Sequence, residues 1–512
     1  MSARTHTIIK NTGFLYLRML FTLLVALYTA RVLLATLGTD DYGLYHVVAS
    51  FILFAGFLQS SLSSTSQRFL AYELGQARPQ LQQLFSMSVN IHLLFAVLLS
   101  ALIGVLGYVL IPALLTYDAA RGDALLQLFW LSLAAFAVNI LVVPNHAMLI
   151  AHERMRAFAW ISMLDVALKL VIVLLLPHQP YDPLVAYGAL YLLVTLLTGA
   201  LYIAYVAVQF PQQRYRPHWQ SALFWRMLAF SGWTLWGNAA SVFASHGSNL
   251  LLNVFFGPAI NAAKSIGSQA SGALNQFVSN LQLAMNPQLI KSYASDDRDY
   301  TEKLMHYGSK YNFFLLLMLA LPLLLRTEQV LQLWLVEPPA YAAVFLQLML
   351  VNLLLDSLSK PLMTAAQATG KIRGYQMVVG GILLLNLPVA YVVLSLGYGA
   401  ASVFVVAIVL TLCASIARIF MLKRIMAFSF RLFCRQALGR IVLVCVVAVA
   451  LCWGLSANYS SAASWWSVLS FSGLAALCTF GSVWLLGLEA RERRNCVQAL
   501  RTFLQQRTQP KS

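Results

Sequence analysis

Long apolar runs, broken only by short polar stretches, cover nearly the whole chain. The runs are too long for strands or for the core helices of a soluble domain. About fourteen reach spanning length and predict transmembrane helices, among them 11–36, 43–71, 226–256 and 261–290. The largest connections fall near 209–225, 291–305 and 423–440, which leaves no room for an extramembrane domain. One run departs from this pattern. Residues 261–288, NAAKSIGSQASGALNQFVSNLQLAMNPQ, carry a polar side chain at nearly every turn. Lys264, Ser268, Ser271, Asn275, Ser279 and Gln282 step by three or four, so a helix gathers them within about a quarter of its circumference. Ile266, Ala270, Ala273, Phe277 and Leu281 take the other side. Such a stripe cannot face lipid. It either glues helices together through small and polar residues or lines a polar cavity. Lys264 favours the cavity, because an intramembrane cation is costly and points to function.

Sixty per cent hydrophobic residues against ten per cent charged exclude an ordinary soluble protein. The formal net charge of +17 would suggest nucleic acid in a soluble chain. Here the basic residues sit in short loops and report topology, so no nucleic-acid partner is expected. Arg4, Lys10, Arg78, Arg154, Arg156, Arg214 and Arg216 fall on one side, as do Lys291, Lys371, Arg373, Lys423, Arg424 and the basic C-terminal tail. The opposite loops hold Arg121 and Arg326 amid acids such as Asp40, Asp41, Asp118, Asp182, Glu328 and Glu337. That asymmetry predicts both termini in the cytoplasm and an even number of spans. The N-terminal apolar segment is too long for a signal peptide, so it is expected to stay in the membrane. The six cysteines, all from Cys413 onward, have no metal or redox spacing and read as small apolar residues.

The chain also repeats itself. Gly13 and Gly232, Gly38 and Gly257, and Ser60 and Ser279 recur at one spacing. ERMRAF at 153–158 parallels GKIRGY at 370–375, and Tyr187-Gly188-Ala189 recurs as Tyr398-Gly399-Ala400. An even number of spans separates the copies, giving parallel repeats with a substrate site between halves. The expected fold is an all-α polytopic membrane protein, two six-helix repeats around a central cavity plus two extra C-terminal helices. Its parts are an N-terminal lobe at 1–212, a second lobe at 213–428, the additional helices at 429–490 and a basic tail at 491–512.

Within the spans, Arg18, Arg68 and Lys264 have no acid at helical spacing. Asp165–Lys169 and Asp356–Lys360 are each one turn apart and could neutralise one another. Arg31 and Lys310 lie near helix ends, where snorkelling is expected; Arg418 is a further intramembrane cation. His46, Ser50, Ser64 and Arg68 share a face that echoes the 261–288 stripe. Cations from both halves facing one cavity suggest an anionic substrate, since guanidinium groups bind phosphate through paired hydrogen bonds. The candidate substrate-binding residues are therefore the cations Arg18, Arg68 and Lys264, with Ser64, Ser268, Ser271, Asn275 and Ser279 as the polar lining. Trp233, Trp236, Asn238 and Asn249 could meet hydroxyl-rich groups, although Trp at these depths also forms interfacial belts. No catalytic motif occurs and the nine histidines are scattered, so neither an enzyme nor a metal site is expected.

KNTGFLYLRML at 10–20, ARVLLATLGTDDYGLYHVVASF at 30–51, SSTSQRFLAYELG at 63–75 and AHERMRAFAWISMLDVALKL at 151–170 carry a family resemblance. They resemble the polysaccharide (O-antigen, Wzx-type) flippases of the multidrug/oligosaccharidyl-lipid/polysaccharide exporter superfamily. The likeness covers about residues 8–424 and is densest in the first 175. It implies a twelve-helix core of two bundles working by alternating access. It also implies transfer of undecaprenyl-pyrophosphate-linked oligosaccharide between leaflets of the bacterial inner membrane, for O-antigen, capsule or exopolysaccharide. The partners so implied are that lipid-linked oligosaccharide, inner-membrane lipids, and a polysaccharide polymerase with other assembly proteins. No cofactor is implied, and H⁺ or Na⁺ coupling is left open. The alternative within the superfamily is an ion-coupled exporter of cationic drugs. Such exporters resemble one another in using membrane-embedded acids, often in the first helix, where this chain has Arg18 and no Asp or Glu.

Overall fold

The computed structural model describes residues 3–53, 56–77, 80–114, 121–178, 180–256, 258–335, 338–426, 428–457, 459, 464–490 and 492–494, with some side chains, most of them at 27–57, outside the description. Among these residues there are helices and no strands. The helices are α1 (Ala3–Leu53), α2 (Gly56–Glu73), α3 (Leu81–Leu114), α4 (Gly122–Ala151), α5 (Met155–Leu175) and α6 (Pro183–Gln209). They continue with α7 (Ser221–Phe256), α8 (Pro258–Ala294), α9 (Arg298–Leu325), the short α10 (Thr327–Leu335), α11 (Ala342–Thr369), α12 (Ile372–Leu384) and α13 (Asn386–Ser395). The last are α14 (Ser402–Met426), α15 (Phe430–Phe433), α16 (Gly439–Ala457) and α17 (Trp465–Ser482). Ten spans among the described residues are long and apolar enough to cross a membrane. α1, α2, α7 and α8 fall outside that set, and the first, third and fourth of these are as long as any span or longer. The protein is an all-α polytopic membrane protein.

Local signals set several helix ends. Asp182 accepts from the backbone N–H of Leu184 and Val185 with Pro183 at the first helical position, an N-cap that starts α6. Asp297 caps α9 through Tyr300 N. Gly370, at φ 74°, ends α11 in the left-handed conformation that glycine adopts without a Cβ penalty.

α1 differs from expectation. The sequence predicts separate helices over 11–36 and 43–71, whereas helical geometry runs unbroken to Leu53 and resumes at Gly56. Arg18 lies 5.0 Å from the Phe158 ring at the start of α5, whereas Asp41 pairs with Arg121, which precedes α4. Tyr45, one turn farther, meets Tyr187, one turn into α6, with ring centroids 5.2 Å apart.

The chain divides into two compact units: residues 11–235, and residues 1–10 with 236–512; the division falls inside α7. In the first unit Leu125, Phe129, Leu133 and Ile140 of α4 pack with Leu184 and Val194 of α6 in one buried cluster. In the second, Phe313 and Leu317 of α9, Phe345 and Leu346 of α11, Ile441 and Val444 of α16, and Phe471 of α17 share a core. The two C-terminal helices are thus built into the core of their unit.

The two arginines on the acidic side of the charge pattern are both structural ties. Arg121 joins Asp41 to Asp182 (2.5 Å to Asp182 Oδ2), linking the start of α4 to the cap of α6. Arg326 donates to the Ser456 and Tyr459 carbonyls at 3.0 and 3.3 Å, stacks on Phe471, and so closes the end of α16. Lys310 corrects a sequence expectation. It does not snorkel: it is about 1% exposed and donates to both carboxylate oxygens of buried Glu492 at 2.8 and 2.7 Å. Tyr311 adds a third hydrogen bond to that carboxylate. Of the remaining expectations, the side chains of Arg4, Arg31, Asp40, His46 and Ser50, residues Arg78, Asp118 and Glu337, and the tail at 495–512 lie outside the described residues.

Candidate functional site

α8 is pressed against α11 at Gly267, where an added Cβ would stand 3.0 Å from Met349 Sδ and 3.4 Å from the Leu346 backbone nitrogen. That close approach fixes which side of α8 is covered. Ala263, Lys264, Gly267 and Val278 are buried, whereas Ser265, Ser268, Gln269, Gly272, Gln276 and Ser279 are exposed. The stripe read from the sequence therefore lies along the boundary between the covered and open arcs. An exposed arc of serine, glutamine and glycine on a membrane helix suits water, not lipid.

Beside this boundary the second unit encloses a cavity of about 560 Å³. α8 contributes Lys264, Ser268, Ser271 and Asn275; α11 contributes Asn352 and Asp356. Tyr375 and Gln376 come from α12, Arg418 from α14, and Asn238 from α7. Gly237 lets α7 approach α12, because a Cβ there would overlap the Gln376 side chain. Four of the eight sequence candidates are thus brought together. Ser279 lies on the same helix but does not line the cavity.

The charges are uneven. Lys264 is buried on the cavity wall, about 5% exposed. Asp356 stands between Lys360 (3.8 Å) and Arg418 (3.7 Å). Lys360 Nζ also hydrogen-bonds Asn275 Oδ1 at 3.0 Å, so it is shared between the acid of its own helix and α8. Among the described residues, two cations therefore share the Asp356 carboxylate, and Lys264 adds a third basic group on the cavity wall. By contrast Asp165 and Lys169 make a direct 2.9 Å pair, with Thr198 donating to the same carboxylate and Tyr191 under the ammonium.

The other candidates belong to the first unit. Arg68 is buried, its guanidinium 4.8, 4.6 and 5.4 Å from the rings of Phe69, Tyr72 and Phe230. Arg18 is half-buried over Phe158, and Ser64 is half-buried on α2. Around α2, Ser61 donates to the Ser231 carbonyl at 2.7 Å, Ser66 bonds Ser88 at 2.7 Å, and Ser231 donates to Thr65 at 2.8 Å. The face carrying Arg68 is a packed polar seam.

Sequence reading treated Asp356 only as an own-helix partner, and it missed Asn352 and Tyr375. A usable signal was present: Asn352, Asp356, Lys360 and Gln367 step by four and seven, a second polar stripe on α11.

The sequence matches the polysaccharide biosynthesis protein family over residues 8–291. The chain belongs to that family. No curated protein matches it. Among solved structures, this family member is similar to a MATE protein, determined as a P26A mutant, with TM-score 0.70 and 15% identity over 83% of this chain and 99% of that one. An outward-facing multidrug resistance MATE family transporter of the MOP superfamily gives TM-score 0.67 at 15% identity, covering 83% and 98% of the two chains. A MOP superfamily transporter from Pyrococcus furiosus gives 0.66 at 15% identity with the same coverage; its binding pocket is described as of reverse polarity, suggesting a different function. At such identity the likeness is one of fold. The family member thus has the fold of MOP-superfamily transporters.

Proposed function

We propose that this protein moves a lipid-linked oligosaccharide, joined through pyrophosphate to a polyprenyl carrier, from the cytoplasmic to the outer leaflet of the bacterial inner membrane by alternating access. The basic residues on the cavity wall, Lys264 and Arg418, carry this reading. Lys264 and Arg418 on the cavity wall, with Lys360 and Arg418 both at Asp356, suit a diphosphate. Serine, asparagine and glutamine on the same walls suit sugar hydroxyls. Membership of a polysaccharide biosynthesis family agrees with such a cargo. On this reading both termini are cytoplasmic, lobes at 1–212 and 213–428 move against each other, and Arg18, Arg68 and Ser64 serve the cargo from the first lobe. A polymerase of the same pathway would receive the product. The cationic-drug alternative is not favoured, because a cation would meet Lys264 and Arg418 and find Asp356 already flanked by positive charge.

The test is transfer of a polyprenyl-pyrophosphate oligosaccharide between leaflets of proteoliposomes. Wild-type transfer that is lost in Lys264→Ala supports the reading. Transfer by neither protein, with ion-driven uptake of a cationic dye, would replace it.

A further inference from the structure

We propose that Asp356 is a built-in competitor for the cargo's anionic group, occupying its place at Arg418 and Lys360 until phosphate displaces it. The inference rests on the anion-binding reading of the cavity and adds the device that lets the anion leave.

Three observations carry it. The carboxylate oxygens of Asp356 stand 3.7 Å from Arg418 Nη1 and 3.8 Å from Lys360 Nζ. Those distances allow Coulombic attraction but exceed direct hydrogen bonds. Second, the burial is lopsided: the Arg418 side chain is about 7% exposed and that of Asp356 about 38%. The acid is the more exposed partner, and the guanidinium is the buried one. Third, Arg418 Nε and Asn352 Oδ1 are buried without a hydrogen bond, and the Tyr375 hydroxyl lies against the Arg418 side chain. Buried polar groups are almost always satisfied, so an unspent donor on Arg418 and an unspent acceptor on Asn352, both residues that line the cavity, form a built site. A phosphate oxygen fits the Arg418 donor, and a sugar hydroxyl fits Asn352. A singly charged carboxylate held at a distance is a weak rival to a multiply charged diphosphate that bonds the guanidinium directly. When the cargo departs, Asp356 re-covers the cations and spares the cost of leaving them uncompensated.

Binding of radiolabelled inorganic pyrophosphate to the purified full chain, by equilibrium dialysis, tests this. Asp356→Asn should tighten binding by about tenfold, an affinity change of about 1.4 kcal/mol, while slowing leaflet transfer. Asp356→Glu should weaken binding several-fold, because one more methylene brings the carboxylate within hydrogen-bonding reach of Arg418. Arg418→Gln should abolish it. Opposite shifts from two folded variants, checked by thermal melting, cannot come from misfolding. Unchanged or weaker binding by Asp356→Asn, with wild-type binding intact, overturns the competitor and leaves the anion cavity standing. If wild type binds no pyrophosphate and Lys264→Ala transfers normally, the cavity reading falls and the competitor with it.

Discussion

Lys264, Arg68 and Lys310 are three basic residues inside apolar helices, and their surroundings assign them different work. Lys264 opens on a polar cavity, so Lys264→Ala should abolish oligosaccharide transfer while leaving the melting temperature within a few degrees of wild type, and Lys264→Arg should restore part of the transfer. Arg68 is boxed by three aromatic rings. Cation–π contacts are worth on the order of 0.5–2 kcal/mol each, so Arg68→Ala should lower thermal stability as well as transfer; an unchanged melt would show that the rings contribute nothing. Lys310 is held by Glu492, and breaking a buried pair by removing one partner costs about 3–5 kcal/mol. Glu492→Leu alone should therefore destabilise strongly, and Lys310→Met with Glu492→Leu should recover most of the loss. A double mutant as unstable as the single one would show that the pair does not act as a unit. The three lysines and arginines look alike in sequence because the partner or ring that defines each one comes from a distant part of the chain, or from neighbours whose direction only packing fixes.

At the scale of the helix, α8 was the most legible element. Its three-and-four step of polar residues defines a stripe, and a stripe in a membrane needs something other than lipid to face. The step does not reveal which flank is covered; Gly267 against Leu346 and Met349 decides that. Cysteines introduced at Ser268 and Ser279 should react with a membrane-impermeant maleimide in some state of the transporter. Cysteines at Ala263 and Val278, on the covered arc, should not. Protection at all four positions would make the stripe a packing seam. Gly267→Leu should force α8 away from α11 and destabilise by about 1–3 kcal/mol, as overpacking does, with loss of pyrophosphate binding. α11 was read less well. Asp356 and Lys360, one turn apart, do pair at 3.8 Å, but the sequence does not show that Asn275 also holds the lysine from α8 or that Arg418 arrives from α14.

For the molecule as a whole, the sequence predicts that deletion from about residue 430 should be milder than damage to either repeat, since the last two helices lie outside the repeat, unless those helices form a groove for the lipid tail. The structure changes that expectation. α16 and α17 share a buried core with α9 and α11, and the segment after α17 supplies the acid for Lys310. Truncation there should expose apolar surface and strand a buried ammonium, giving little folded protein in detergent. Lys310→Met in the truncated chain should recover only the electrostatic part. A truncated protein that melts like wild type would return the last two helices to the role of accessories.

The sequence by itself determined the class of the molecule: apolar runs of spanning length admit helices in a bilayer and little else, because backbone groups in hydrocarbon must bond within their own segment. It also located the polar stripe of α8, because helical periodicity is a local property. The tertiary structure alone decided which charged and polar groups meet. Asp356 with Arg418, Lys360 with Asn275, and Lys310 with Glu492 join residues 62, 85 and 182 positions apart, or lie on different helices. Coulombic attraction and burial depend on distance through space, and no spacing along the chain encodes that.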